Sequence, residues 1–151
     1  MLTQKIQDEL KQAMLSRDAL KTSVLRMLKS AISYHEIQKG GSGYTATDED
    51  VLEVIQKEAK QRKDSIEEFK KAGRQELVDK ETKELEILQV YLPAQMTDDQ
   101  INSIVDEAIV KTGAKSTQDI GKIMGNLLPK VKGKADMRLV SEIVKDKLQQ
   151  L

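Results

Sequence analysis

Apolar positions recur at helical spacing from one end of the chain to the other, and no run of alternating β-branched residues competes with them. The pattern predicts a first helix over about residues 3–15, with Ile6, Leu10, Ala13 and Met14 on one side. Asp18 can cap a second helix, whose stripe is Leu20, Val24, Met27, Leu28, Ala31 and Ile32, and which ends at the flexible loop "KGGSGYTAT". Thr47 with Asp50 three residues later reads as a capping box opening a third helix, stopped by Gly73. A fourth starts near Gln75, carries Leu77, Val78, Leu85, Leu88, Tyr91 and Leu92, and is ended by Pro93. These four helices are expected to pack as two hairpins.

After Pro93 the pattern restarts. Thr97 with Gln100 forms a second capping box, for a fifth helix ending at Gly113. Ser116 or Thr117 caps a sixth, expected to bury Ile120, Ile123, Met124, Leu127 and Leu128 and to be broken by Pro129. Asp136 can cap a seventh. The fold class is therefore all-α: an N-terminal helical domain over residues 1–93 and a small C-terminal three-helix domain over 94–151.

Charge interrupts the apolar stripes in one place. Glu58, Arg62 and Ser65 fall within the stripe of the third helix, and Glu81 and Glu84 among the leucines of the fourth. Arg62 and Glu84 lie at equal sequence distances from Gly73, so an antiparallel hairpin brings them to the same height. A structural ion pair that fixes hairpin register is the simplest reading of Glu58, Arg62, Glu81 and Glu84.

Composition narrows the function classes. Lys plus Arg equal Asp plus Glu at 25 each, which argues against a surface built throughout to coat nucleic acid or anionic lipid. Cysteine is absent, removing disulfides, thiol nucleophiles and thiolate metal sites. The single histidine, His35, stands at a helix end and is read as partly exposed rather than catalytic. Neither a Walker A loop nor a dinucleotide fingerprint occurs. No catalytic residue, metal or cofactor is expected. The start, "MLTQKIQDELKQAM", mixes charge into every turn and lacks the apolar stretch of a signal peptide, and no segment is long and apolar enough for a bilayer. A soluble, cytoplasmic protein is expected.

The segment "IGKIMGNLLPKVKGKAD" stands apart. Gly121 and Gly125 sit four residues apart in a helical pattern, each costing about 1 kcal/mol relative to alanine, which suggests close approach of a helix or ligand to the backbone. Beyond Pro129, an extended segment would project Lys130, Lys132 and Lys134 to one side. From Lys122 to Arg138 there are five basic residues and one acidic. Phosphate is a fitting ligand for such a turn. No aromatic residue follows Tyr91, so this part of the chain has no platform for stacking unpaired bases.

Two stretches, "KEAKQRKDSIEEFKKAGRQELVDKETKELEILQVYLPAQMT" and "GKIMGNLLPKVKGKAD", resemble the GatB/YqeY family, most closely its stand-alone YqeY-like members, and the likeness spans essentially the whole chain. In that family the same kind of domain forms the C-terminal tail of the GatB component of the glutamine-dependent aspartyl/glutamyl-tRNA amidotransferase, a carbon–nitrogen ligase with glutamine as amido donor. The resemblance implies an N-terminal helical domain, a three-helix C-terminal domain and a tRNA-associated role. The kinase-like cradle and amidase subunit of that enzyme have no counterpart here.

The expected function is non-catalytic binding of tRNA or a tRNA-bearing complex. Lys122, Lys130, Lys132, Lys134 and Arg138 are the phosphate contacts, with Gly121, Gly125 and Gly133 allowing backbone approach. The rival is a protein-interaction adaptor whose glycines seat a partner helix. A third reading is an accessory factor that acts in amide transfer with amidotransferase subunits.

Overall fold

Side-chain caps fix where most of the helices start. The computed structural model describes residues 1–151 and is all helical, with seven α-helices and no strand: α1 Leu2–Leu15, α2 Ala19–Gly40, α3 Asp48–Lys71, α4 Gln75–Gln89, α5 Asp98–Thr112, α6 Ile120–Val131 and α7 Met137–Gln149. Asp18 accepts from the Lys21 amide at the start of α2, and complete capping boxes, Thr47 with Asp50 and Thr97 with Gln100, open α3 and α5. Each cap satisfies amides that a helix start otherwise leaves to water.

Two compact units result, Met1–Leu92 and Pro93–Leu151. In the first, α1 packs on α2 and α3 on α4, with α2 also against α3 and α4. Its core joins Ile6, Leu10, Val24, Leu25, Leu28, Ile32, Val51, Ile55, Leu88 and Tyr91. The three-sided covering of α2 explains one difference from the expected stripe: Leu25 is fully buried, whereas Met27 points outward. Met14 is likewise exposed. Tyr91 is buried, and its hydroxyl donates to Glu9, tying the end of the unit back to α1. Burial and the neighbouring carboxylate push the Tyr91 phenol up from its ordinary range, so it remains a donor.

The α3–α4 turn closes by paired bonds, from the Gly73 amide to the Lys70 carbonyl and from the Arg74 amide to Phe69. Across this hairpin, Arg62 Nε lies 3.4 Å from Glu84 Oε2, while Arg62 Nη1 donates to Glu58 Oε2 at 2.9 Å. Arg62 and Glu84 are both buried; Glu81 is partly exposed on the same helix as Glu84.

In the second unit α5, α6 and α7 enclose Ile101, Val105, Ala108, Ile123, Leu127, Val131, Val140, Val144 and Leu148. Pro129 does not break α6, contrary to the expectation from sequence: it lies inside the helix, and the Lys132 amide resumes the ladder by donating to Leu128 at 3.0 Å. Its missing N–H deprives only the Gly125 carbonyl, and Gly125 is exposed, so water can satisfy that group. Because the helix continues, the row Ile123, Leu127, Val131 points inward, all fully buried, and Leu128 turns out to solvent.

Candidate functional site

The lysine-rich segment is a helix end followed by a turn. Lys130 is still helical, and Lys132 caps α6 with φ −57° and ψ 121°. Gly133 then takes φ +78°, a left-handed conformation that glycine adopts without the strain imposed by a Cβ. The Lys134 amide closes back on Val131 at 2.9 Å.

The expected extended segment is absent. From Val131 to Asp136 the residues alternate: Val131, Gly133 and Ala135 are buried, and Lys132, Lys134 and Asp136 are exposed. The inward residues anchor the turn on the core. Its outer edge is pinned from the other side, where the Met96 amide donates to the Lys134 carbonyl at 2.8 Å and Gln95 Nε2 to the Gly133 carbonyl at 3.0 Å. Gly133 therefore faces Pro93 and Gln95 within the unit, with Pro93 Cγ 3.6 Å from where its Cβ would stand. Its backbone form accounts for the glycine.

Beside the turn lies an open groove of about 630 Å³, bounded by Gln95, Met96, Asp99 and Ile104 on one side and by Lys130 and Lys134 on the other. The lysines form its positive rim; Asp99 gives the opposite wall the other sign.

Lys122 and Arg138 are exposed but have acidic neighbours. Lys122 Nζ is 3.8 Å from Asp119, and Arg138 Nε 3.5 Å from Glu142. The Asp119 carboxyl is held below its ordinary range, chiefly by the Lys115 amide at 2.9 Å, with the Ser116 amide and Lys122 adding to the effect. Asp119 is thus an anion under all ordinary conditions, and it offsets Lys122.

Gly121 and Gly125 face open space. A Cβ at either would meet no atom of the chain within 4 Å, so no neighbouring helix demands glycine there. With the exposed Leu128, they form a bare stripe along the outer side of α6.

A second polar constellation, which the sequence reading missed, closes the α2–α3 corner. Asp50 is buried, and its carboxylate accepts from Lys39 Nζ, from Tyr44 Oη at 2.6 Å, and from the Thr47 amide and hydroxyl at 2.9 and 3.0 Å. Glu36 accepts from the Ala46 amide at 2.8 Å. The "KGGSGYTAT" segment is therefore tied down along its second half. Gly40 makes this possible, because a Cβ there would stand 2.6 Å from Tyr44 Cβ. Lys39 above all, then Tyr44 and the Thr47 amide, hold the Asp50 carboxyl far below its ordinary range, outweighing the opposing effect of burial. His35 Nε2 approaches Asp50 Oδ1 to 3.5 Å. The available signal was Asp50 itself, an aspartate where a capping box more often has glutamate, flanked by a lysine and a tyrosine across a glycine-rich loop.

Fold and surface together define a two-unit helical protein with a lysine-rimmed turn in its smaller unit. The chain belongs to the Yqey-like protein family, whose pattern matches residues 3–148. It is 32% identical over 152 residues to "Altered inheritance of mitochondria protein 41, mitochondrial" of Pyrenophora tritici-repentis, covering 97% of this chain and 78% of that protein. The protein of the same name in Saccharomyces cerevisiae (strain YJM789) is 34% identical over 128 residues, with coverage of 81% and 68%, and that of Vanderwaltozyma polyspora is 31% identical over 147 residues, with coverage of 92% and 78%. Those names place the relatives in mitochondria, unlike the cytoplasmic location expected for this chain. No helix here is long and apolar enough to cross a membrane.

Proposed function

We propose that the C-terminal unit binds the phosphate backbone of a folded RNA, tRNA or a tRNA-bearing complex, without catalysis of its own. The observation that carries this reading is the alternation from Val131 to Asp136, which anchors the turn by its apolar residues and presents Lys132 and Lys134 beside Lys130. These three lysines are the principal phosphate contacts. Lys122 and Arg138 flank them on the same surface segment, with Asp119 and Glu142 beside them. The open backbone at Gly121 and Gly125 lets a ligand strand come close, and Gly133 serves by shaping the turn. Likeness to the tail of the tRNA amidotransferase supports tRNA as the RNA. Any part in amide transfer would depend on the subunits that carry that chemistry.

The bare stripe of Gly121, Gly125 and Leu128 favours one other reading, an adaptor that seats a partner helix there. Competition separates the two. A labelled tRNA should bind at low salt and be displaced by unlabelled tRNA more readily than by an unstructured single strand, because the unit offers no aromatic stacking platform. Absence of tRNA binding at low salt would leave the adaptor reading in its place.

A further inference from the structure

The corner between α2 and α3 holds the chain's single histidine against two carboxylates. His35 comes from the end of α2; Asp50 and Glu53, three residues apart, share one face of the first turns of α3. One ligand atom from each, an imidazole nitrogen and two carboxylate oxygens, lie within 4.8 Å of one another. His35 Nε2 is shielded from solvent and makes no hydrogen bond, with Asp50 Oδ1 3.5 Å away. A buried ring nitrogen left unpartnered costs free energy unless something completes it.

We propose that His35, Asp50 and Glu53 form a site for a divalent transition-metal ion, of which zinc is the best fit, and that the ion takes the place beside Asp50 held by the Lys39 ammonium. Zinc bonds to imidazole nitrogen and carboxylate oxygen at about 2.0 to 2.2 Å, so two ligands of a tetrahedral ion stand about 3.3 to 3.6 Å apart. His35 Nε2 and Asp50 Oδ1 already have that spacing, at 3.5 Å. Glu53 is exposed and free to turn inward by the remaining ångström or so. Imidazole with carboxylates suits zinc and its neighbours better than calcium or magnesium, which take all-oxygen shells.

Lys39 is the built-in competitor. Its ammonium already supplies positive charge at Asp50, and its side chain is about half exposed at 49%, so it can swing into water when a metal ion arrives. Three protein ligands leave a fourth position to water, as in open zinc sites. The site bridges two helices, so occupancy should also raise the thermal stability of the N-terminal unit.

The test is a titration of the full chain with Co²⁺, followed by its visible absorption and by displacement with Zn²⁺. One equivalent should produce the bands of tetrahedral cobalt and raise Tm. His35→Ala should abolish the bands, and Glu53→Gln, at an exposed position that leaves the fold intact, should weaken binding at least tenfold. Lys39→Met, which removes the competing charge, should tighten it at least tenfold. The proposal is overturned if the wild type gives no cobalt spectrum, if Glu53→Gln binds as tightly as wild type, or if Lys39→Met leaves the affinity unchanged.

Discussion

Arg62 Nε stands 3.4 Å from Glu84 Oε2 across the α3–α4 hairpin, and both side chains are almost fully shielded from solvent, at 6% and 11% exposure. Glu58, one turn back on α3, holds the same guanidinium at 2.9 Å. Removing one partner strands a buried charge, so Arg62→Ala should cost about 3 to 5 kcal/mol. Replacing both, as Arg62→Met with Glu84→Leu, should recover most of that loss, because Glu58 can turn to water. Urea unfolding of the two variants checks both expectations. Equal destabilisation by the single and the double change would show that the pair does not act as a unit.

Gly40 tests the packing of the α2–α3 corner by a sign. Glycine to alanine at a permissive helix position gains about 1 kcal/mol. Here the new Cβ would stand 2.6 Å from Tyr44 Cβ, so Gly40→Ala should instead destabilise by about 1 to 3 kcal/mol and release the Tyr44 contact to Asp50. Thermal unfolding together with Tyr44 side-chain NMR shifts would reveal it.

The same corner predicts a pH dependence. A carboxyl with a depressed folded-state value stabilises fully above its unfolded value, about pH 3.9, and loses that contribution as the pH falls through the folded value. Lys39 first, then Tyr44 and the Thr47 amide, depress Asp50 in this way. With a chelator present, the stability gap between wild type and Asp50→Asn should be constant above about pH 5 and narrow only below about pH 4. A gap that closed near pH 6 would contradict this account of Asp50.

Arg17 is the one non-glycine residue with a positive φ, at 59°, where α1 ends in a paired-bond cap. An L-residue pays about 1 to 2 kcal/mol for that conformation, part of which glycine's larger unfolded-state entropy offsets. Arg17→Gly should therefore stabilise the chain by about 0.5 to 1 kcal/mol, measurable as a higher urea midpoint.

Sequence pattern carried much of the helical architecture because its signals are local: caps at Asp18, Thr47, Thr97 and Asp136, and a positive-φ stop at Gly73, all sit where the helices begin or end. Pro129 was misleading because a missing amide matters less where the deprived carbonyl, that of Gly125, faces solvent. Leu25 and Met27 exchanged places because α2 is covered from three sides, which a single stripe cannot encode. The Asp50 cluster depends on a loop returning Tyr44 to the end of α2, and no helical period reports that. The lysines of the turn were visible as a run. Their presentation rests on an alternation made by a glycine turn and by bonds from Gln95 and Met96, remote in sequence.

Central to the proposed function is the neutralisation of phosphates by Lys130, Lys132 and Lys134. Fluorescence anisotropy of labelled tRNA across a salt series tests it most directly, comparing wild type with the variant carrying Lys130→Ala, Lys132→Ala and Lys134→Ala. Three phosphate contacts predict a log-log slope of roughly −2 to −3 for wild type, and the triple variant should flatten it by about 2 units or more. Exposed lysines contribute little to stability, so both proteins should unfold at nearly the same urea concentration. Coincident salt curves for the two proteins would contradict the claim.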